Sequence, residues 1–488
     1  MYGVLIVVAA LIGLMYLAYR GVTLLILAPG LAMLAVLASL ERPLLASYTQ
    51  IFMAATGDFI VQYFPVFLLG AIFGKLMEDT GGAEVLANAT IRRLGGQRAM
   101  LAVVLSCAAM TYGGVSLFVV AFAVFPIAAA VFRRADLPKR LIPGTIALGA
   151  FTFTMTALPG TPAIQNAIPM PFFGTSPFAA PGLGVLTALI MFALGQMWLE
   201  RRARTISGGY GDHPEVAPPA LTTLRERAAG EGFDIAEIST ETPAKASDEE
   251  RAVEAPSLIL AALPLVAVIV INLAFTTFVI PAMNTGYLAA PEYGATTIDS
   301  VRGIWSIIAA LVISIMLMIA VNWSRLPSLT ASLDAGANAS LLPIFNTASL
   351  VGFGSVIASL SAFELIRDSL IGIGGDNPLI SLAISVNLLA GMTGSASGGM
   401  SIALTSLGGV YMEMAQAAGV SPDLMHRVTA VATGGLDALP HNGAVITLLA
   451  ICGLTHREAY LDIAVVAVVV PIIALIVLIT LGTLLGSF

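Results

Sequence analysis

The chain has 488 residues, of which 58% are hydrophobic and 10% are charged, whereas about 25% of residues are charged in an average soluble domain. Apolar runs of about 20 residues recur from end to end, and that length of helix crosses the hydrocarbon core of a bilayer. With a formal net charge of −7, the composition excludes an ordinary soluble domain, predicts an all-α polytopic membrane protein and gives no reason to expect a nucleic-acid partner.

The predicted membrane segments, in chain order, are residues 3–18, 21–40, 59–77, 99–132, 141–170, 182–199, 256–280, 303–322, 341–360, 379–414, 426–452 and 459–486. The first lacks the basic region and the cleavage site of a signal peptide, so we interpret it as a span. Between the sixth and seventh segments lies a polar insert, 200–255, where Glu200 to Glu254 holds 12 acidic and 7 basic residues. Its Pro, Gly, Ser and Ala content is typical of a flexible linker. Cys107 and Cys452 lie in apolar runs, which favours small core residues over a disulfide.

Two segments, 99–132 and 379–414, are too long for one span and have small polar residues in their middle. If the N-terminus is outside and 99–132 is a re-entrant hairpin, 18 of the 22 Lys and Arg residues face the cytoplasm, as the positive-inside rule favours. The insert 200–255 is then cytoplasmic. Every arginine in this topology lies near a membrane surface or in a loop.

Short motifs recur in the two halves of the chain. The stretch YGGVS (Tyr112–Ser116) matches SGGMS (Ser397–Ser401), and ALPG (Ala157–Gly160) matches ALPH (Ala438–His441). The predicted topology runs the two copies in opposite directions across the membrane. Inverted repeats with interrupted helices in matching places indicate a secondary transporter whose site lies near the midplane.

The second motif of each half should interrupt its helix. Pro440 cannot donate a backbone hydrogen bond, and Pro159 and Pro162 have the same effect in the first half. Irregular backbone at membrane depth is tolerated where it lines a protein-walled or wet cavity. The half-helix that restarts after each break points its N–H groups at that cavity, and these groups attract an anion. The glycines and hydroxyls of TYGGVS and TGSASGGMS would allow a ligand to approach closely.

Asp437 and His441 form the proton-coupling hypothesis. They are spaced i, i+4, and ionisable residues at membrane depth are functional candidates. A substrate carboxylate about 4 Å from ionised Asp437 would be repelled by roughly 4 kcal/mol at an effective dielectric of 20. Protonation of Asp437 would remove that repulsion, so the anion and the proton would bind together. His441 could instead bind the anion as imidazolium and release it when neutral.

Structural roles remain open beside these functional ones. Asp437 could cap a helix, His441 could hold a structural hydrogen bond, and the Gly-Gly pairs could serve only close helix packing. We expect the histidines outside the motif to be solvated in loops or at span ends; they are His213, His426 and His456. The amides expected to bind either substrate or a neighbouring helix are Gln165, Asn166, Asn387 and Asn442.

On these residues the chain resembles a known family. The stretch MTYGGVSLFVVAFAVFPIAAAVF (110–132), with LPKRLIPGTIALGAFTFTMTALPGTPAIQNAIPMPFFGT (137–175) and LDALPHNGAVITLLAICGLTHREAY (436–460), is similar to the gluconate permease (GntP) family and most similar to its D-beta-hydroxybutyrate permease branch. The resemblance covers nearly the whole chain but not 205–254. It implies uptake of a small organic acid, usually with a proton, by a bacterial inner-membrane protein. It also implies membership of the ion-transporter superfamily, a homodimer and elevator motion of a transport domain.

The expected domains are N-terminal scaffold helices (1–58), a first repeat (59–199, hairpin 99–132, broken helix 141–170), the insert (200–255), scaffold helices (256–340) and a second repeat (341–488, hairpin 379–414, broken helix 426–452). By position, the resemblance places the hairpin tips at Gly113–Ser116 and Ser395–Ser401, and the unwound segments at Gly160–Asn166 and His441–Thr447. The predicted substrate-binding residues are Tyr112, Gly113, Gly114, Ser116, Gly160, Thr161, Gln165, Asn166, Ser395, Ser397, Gly398, Gly399, Ser401, His441, Asn442 and Thr447.

The sequence thus predicts a proton symporter, not an enzyme, for a short hydroxy-monocarboxylate, with 3-hydroxybutyrate favoured because an apolar lining near Phe118, Phe151, Phe153 and Met155 suits an aliphatic chain. Gluconate or another sugar acid, or a sodium-coupled carboxylate, remains an alternative. We expect no metal or organic cofactor beyond the coupling ion. A channel lacks a filter motif, and a hydrolase lacks a nucleophile elbow.

Overall fold

The computed structural model describes residues 2–20, 22–94, 98–115, 117–206, 208–211, 255–326, 328–375, 377–440 and 442–488. Within these ranges the chain is helical and contains no strand, as its composition predicts. Ser116, His441, His213 and most of the insert 200–255 lie outside the described residues.

Twenty helices carry the fold within the described residues. In the first half they are α1 (Tyr2–Tyr19), α2 (Leu24–Ser39), α3 (Leu44–Asp79), α4 (Gly82–Leu94), α5 (Ala99–Tyr112), α6 (Leu117–Arg134), α7 (Ile142–Ala150), α8 (Phe153–Thr156), α9 (Ile164–Ala167), α10 (Pro169–Phe173) and α11 (Pro181–Thr205). In the second half they are α12 (Leu258–Ala282), α13 (Ile298–Val321), α14 (Leu329–Ala358), α15 (Ala362–Ile373), α16 (Pro378–Thr393), α17 (Ala396–Ala418), α18 (Pro422–Leu436), α19 (Gly443–Cys452) and α20 (His456–Leu485).

Six of these described helices are long and apolar enough to cross a membrane: α3, α11, α12, α13, α14 and α20. The order of elements recurs in the two halves. Two helices precede a long helix with an internal proline (Pro65 in α3, Pro343 in α14), and then come a short helix, a hairpin, an interrupted helix and a final long helix. This order agrees with the predicted internal repeat, while the inversion of the two copies stays a prediction.

Helices α3 and α14 form the central packed pair. Glycines of α14 allow the close approach: a Cβ at Gly336 would lie 2.7 Å from the Cα of Ile72, and one at Gly352 would lie 2.9 Å from the carbonyl of Phe52. Small residues at such contacts are typical of helix packing in membranes. The predicted domain boundaries at 58 and 340 fall inside these two continuous helices. The polar and small residues near the start of each helix lower the local hydropathy, but they do not end the helix.

Each long hydrophobic segment with a polar middle is a helix pair, as expected. Helix α5 ends at Tyr112 and α6 begins at Leu117, and α16 and α17 are joined by Gly394 and Ser395. The second connection is shorter than the expected tip, since the Ser395 hydroxyl accepts a hydrogen bond from Gly398 N–H at 3.1 Å and caps α17 there. Ser397–Ser401 are therefore helical. A Cβ at Gly399 would overlap the backbone of Ala390, so close packing alone requires this glycine.

Both interrupted helices break at the proline-containing motif. The first lacks α-helix from 157 to 163, and the second lacks it at 437–440 and at Asn442. The helix after each break resumes earlier than the resemblance implies, at Ile164 and Gly443. Gln165, Asn166 and Thr447 are therefore helical residues that follow a break.

Candidate functional site

A cavity of about 430 Å³ lies between the central helix pair and the broken parts of the first half. It is bounded by α3, the tip of the α5–α6 hairpin, the break after α8, and helices α13 and α14. Its lining comprises Val66, Phe67, Gly70, Ala71, Gly74, Lys75, Glu78, Thr111, Gly114, Val115, Leu117, Met155, Pro162, Ala163, Ile164, Gln165, Leu311, Ala335, Asn338, Ala339, Ser340, Leu342 and Pro343. A volume of this size suits a small organic ligand.

The structure brings part of the predicted site to this cavity. Gly114 and Gln165 line it, and so does Met155 from the predicted apolar lining. Phe151 and Phe153 are buried but are not among the lining residues. Phe153 packs edge-on against Phe192, with ring centroids 5.8 Å apart. The predicted role of these two rings in lining the substrate site therefore stays a prediction.

The first hairpin tip is held against the first break. The Tyr112 hydroxyl donates a hydrogen bond to the Pro159 carbonyl at 2.6 Å. Gly114 has a φ of +94°, and a Cβ there would lie 3.0 Å from Cγ of Pro162. Gly160 has a φ of +82° and lies against the Phe178 ring, which leaves no room for a side chain. These residues shape the cavity wall through backbone conformation.

The second half makes an equivalent connection. The Asn442 side-chain N–H donates to the Gly394 carbonyl of the hairpin connection at 2.8 Å. Its side-chain oxygen accepts from Ala444 N–H at 2.7 Å and from Val445 N–H at 3.4 Å, capping α19. An anion at the start of α19 would compete with this cap. The described second-half site residues are not among those that line the cavity.

The side-chain amide of Asn166 makes all of its hydrogen bonds to other groups of the protein. Its amide N–H groups donate to the carbonyls of Thr161, at 3.1 Å, and Pro177, at 3.0 Å. Its oxygen lies 3.1 Å from His426 Nε2 and accepts from Arg427 at 3.3 Å. An amide has two donors and two acceptor sites, so Asn166 positions the first break in this conformation rather than offering a free group to a ligand.

His426 and Arg427 are fully buried at the start of α18, so the expectation that His426 is solvated is wrong. His426 Nδ1 lies 2.6 Å from the Thr175 hydroxyl. Arg427 donates to the Ala179 carbonyl at 2.7 and 3.0 Å and to the Pro177 carbonyl at 3.5 Å. The expectation that every arginine lies near a membrane surface or in a loop stays a prediction. The buried guanidinium of Arg427 adds positive potential close to the first break.

The second break receives hydrogen bonds from α20. His456 Nε2 lies 2.8 Å from the Pro440 carbonyl, and the Tyr460 hydroxyl donates to the Ala438 carbonyl at 3.2 Å. His456 is exposed, as expected, but its ring is tied to the break. Asp437 is the C-terminal boundary residue of α18 and is half-buried, so it does not provide an N-terminal cap for α19.

Other predicted residues lie in the second hairpin and after the second break. Ser397 Oγ lies 3.4 Å from the Thr347 hydroxyl of α14 and 3.5 Å from Ser395 Oγ. The buried hydroxyl of Ser401 has no hydrogen-bond partner among the described residues. Thr447 is buried in α19, and Gly113 packs tightly against the Leu265 side chain of α12. Thr161 is buried, with its hydroxyl accepting from Ala163 N–H at 3.2 Å.

Long apolar helices, two helical hairpins and two interrupted helices, with a cavity beside the first hairpin and the first break, are typical of a multi-pass membrane transporter. Residues 2–174 match the family model of the GntP family permeases. The chain is 44% identical over 467 residues to an uncharacterized transporter, YxjC, of Bacillus subtilis (strain 168), with 94% of each chain covered. The chain therefore belongs to the GntP permease family, as its motifs indicated, and it is a transporter rather than an enzyme.

The fold also resembles that of MtrF of Neisseria gonorrhoeae, which is described as illuminating a class of antimetabolite efflux pumps. The TM-score is 0.53, with 95% of this chain and 94% of that chain covered. The two sequences are 12% identical, so the similarity concerns the fold alone.

Proposed function

We propose that the chain is a proton symporter that takes up a short hydroxy-monocarboxylate, with 3-hydroxybutyrate as the preferred substrate. Membership of a permease family supports the transport class. In the proposed assembly the protein is a homodimer in the bacterial inner membrane, its N-terminus is outside, and the two halves are inverted repeats. One part of each protomer would move against the other as an elevator.

The cavity is the observation that carries the substrate proposal. Fourteen of its 23 lining residues have apolar side chains, including Val66, Phe67, Leu311 and Leu342, and six have polar or charged side chains. A six-carbon polyol acid would bring several hydroxyls, and each one that lost its water without a partner would weaken binding. A four-carbon chain with one hydroxyl and one carboxylate matches this lining better.

Asp437 is the proposed proton carrier. It lies beside the second break, half-buried at the end of α18 and outside the cavity lining, and its negative charge would repel an anion that passed the second break at short range. Proton binding would remove that opposition, which links uptake of the anion to uptake of a proton. Neither a metal nor an organic cofactor is needed for this cycle.

Uptake by proteoliposomes tests the proposal. Labelled 3-hydroxybutyrate, gluconate and succinate would be offered under an imposed proton gradient and, separately, under a sodium gradient. We expect accumulation of 3-hydroxybutyrate with the proton gradient only. Accumulation driven by sodium alone would contradict proton coupling, and selective uptake of gluconate would contradict the substrate.

A further inference from the structure

We propose that the cavity beside α3 is the substrate pocket, that Lys75 binds the substrate carboxylate and that Thr111 binds the hydroxyl. This rests on the proposed function, because it assigns residues to a short hydroxy-monocarboxylate. Neither Lys75 nor Thr111 belongs to the predicted site.

Lys75 is the cationic residue of the described cavity lining. Its residue is only 9% exposed, and its ammonium lies 2.8 Å from Asp79 Oδ1 and 3.8 Å from Glu78 Oε1. The two acids are more exposed than the lysine, at 23% for Asp79 and 34% for Glu78. The long lysine side chain can therefore exchange Asp79 for a substrate carboxylate while Asp79 remains in contact with water.

Thr111 supplies an unused polar group in the same lining. It is 4% exposed, and its hydroxyl has no hydrogen-bond partner among the described residues. Several other helical threonines donate to the carbonyl four residues earlier, as Thr145 does to Leu141 at 2.8 Å. A buried hydroxyl without a partner is unusual in a folded protein. Thr111 belongs to the cavity lining and its hydroxyl is covered in this structure, so rotation of the side chain toward the cavity would bring the hydroxyl to a ligand hydroxyl.

The surrounding groups fit one such ligand. Gln165 is 8% exposed and lies on the break side of the lining, so its amide can contact either polar end of the substrate. The Ser340 hydroxyl donates to the Ala337 carbonyl at 2.7 Å and retains acceptor capacity. Between these polar groups the walls are apolar, which matches a short aliphatic chain.

Equilibrium binding of 3-hydroxybutyrate and of butyrate to the purified full chain tests these roles separately. Lys75→Gln should weaken binding of both acids by roughly tenfold to a hundredfold, since it removes a charged partner. Thr111→Val should weaken 3-hydroxybutyrate by about three- to tenfold and leave butyrate unchanged, since only the former has the hydroxyl. The matched controls are Lys139→Gln, another lysine that is 7% exposed but outside the lining, and Thr145→Val.

A second readout does not depend on removing the lysine. Ala339 is partly exposed in the lining, so a maleimide should label Ala339→Cys, and 3-hydroxybutyrate should protect it. Suppose that the wild type binds 3-hydroxybutyrate. The pocket assignment would then be overturned if folded Lys75→Gln bound it normally, or if 3-hydroxybutyrate did not protect Ala339→Cys from the maleimide. Either result would leave the proposed function intact. If the wild type binds and transports neither acid, the proposed function itself fails.

Discussion

At the scale of single residues, the coupling role of Asp437 can be separated from a structural one. Asp437→Asn keeps the size of the side chain and removes its charge and its titration. We expect exchange of 3-hydroxybutyrate across proteoliposomes to persist, because the neutral amide resembles the protonated acid, while accumulation driven by a pH gradient is lost. Asp58→Asn, at an exposed position of α3, is the control. Normal pH-driven accumulation in Asp437→Asn would show that the carboxylate is not the proton carrier.

Arg427 allows a second test at the same scale. Arg427→Gln should lower thermal stability in detergent, because the carbonyls of Pro177 and Ala179 lose a buried donor and each such loss costs about 1–3 kcal/mol. Arg427→Lys should recover only part of this, since an ammonium cannot reproduce the planar fork. Arg367→Gln, at a position 35% exposed, should change little. An unchanged melting temperature for Arg427→Gln would mean that the network contributes nothing.

The burial of His426 and Arg427 could not be predicted from sequence. Both follow the start of a predicted span, where polar residues are usually satisfied by water or headgroups. The partners that bury them, Thr175 and the 177–179 carbonyls, are about 250 residues away in the chain. A contact between residues so far apart in the chain leaves no pattern in the sequence around either of them.

At the scale of elements, proline and glycine made both breaks predictable. Pro159, Pro162 and Pro440 each remove a backbone donor, but Pro65 and Pro343 do the same inside the continuous helices α3 and α14. The interruptions are therefore indicated by prolines that stand near glycines such as Gly160 and Gly443, and not by proline alone. The lengths of the unwound segments could not be predicted from the sequence, because they depend on which side chain caps the next helix. Asn442 and Ser395 begin α19 and α17 earlier than the motifs suggested.

The hydrogen bond from the Asn442 side chain to the Gly394 carbonyl is a tether between the second break and the second hairpin, and its role can be tested. Asn442→Asp keeps the oxygen that caps α19 but loses the donor to Gly394, whereas Asn442→Ala loses both. We expect transport to fall in both variants, with an additional stability loss of about 1 kcal/mol in Asn442→Ala from the missing cap. Ser421→Ala removes a comparable cap, at the start of α18, without touching the tether. If Ser421→Ala impairs transport as much as Asn442→Asp, the tether has no special role.

At the scale of the whole molecule, orientation connects the site to the direction of transport. The basic residues predict that the C-terminal end of α3 faces the cytoplasm. Lys75, Glu78 and Asp79 stand at that end, and Lys75 and Glu78 line the cavity, so the cavity would open inward in this conformation. An importer must release its substrate from such a state, and the neighbouring carboxylates would help to expel the anion from Lys75 once the proton has left.

Single-cysteine labelling in intact cells checks this orientation. Thr205 is the exposed last residue of α11, and exposed Asn284 lies two residues after the end of α12. The predicted topology places Asn284 outside and Thr205 inside. An impermeant maleimide should therefore label Asn284→Cys and should reach Thr205→Cys only after the cells are opened. The native thiols of Cys107 and Cys452 are buried, so the reagent should not reach them. The unchanged chain is therefore the control for background labelling. The reverse labelling pattern would turn the cavity outward and make it the entry side of an importer, so the proposed release role of Glu78 and Asp79 would be wrong even if Lys75 binds the substrate.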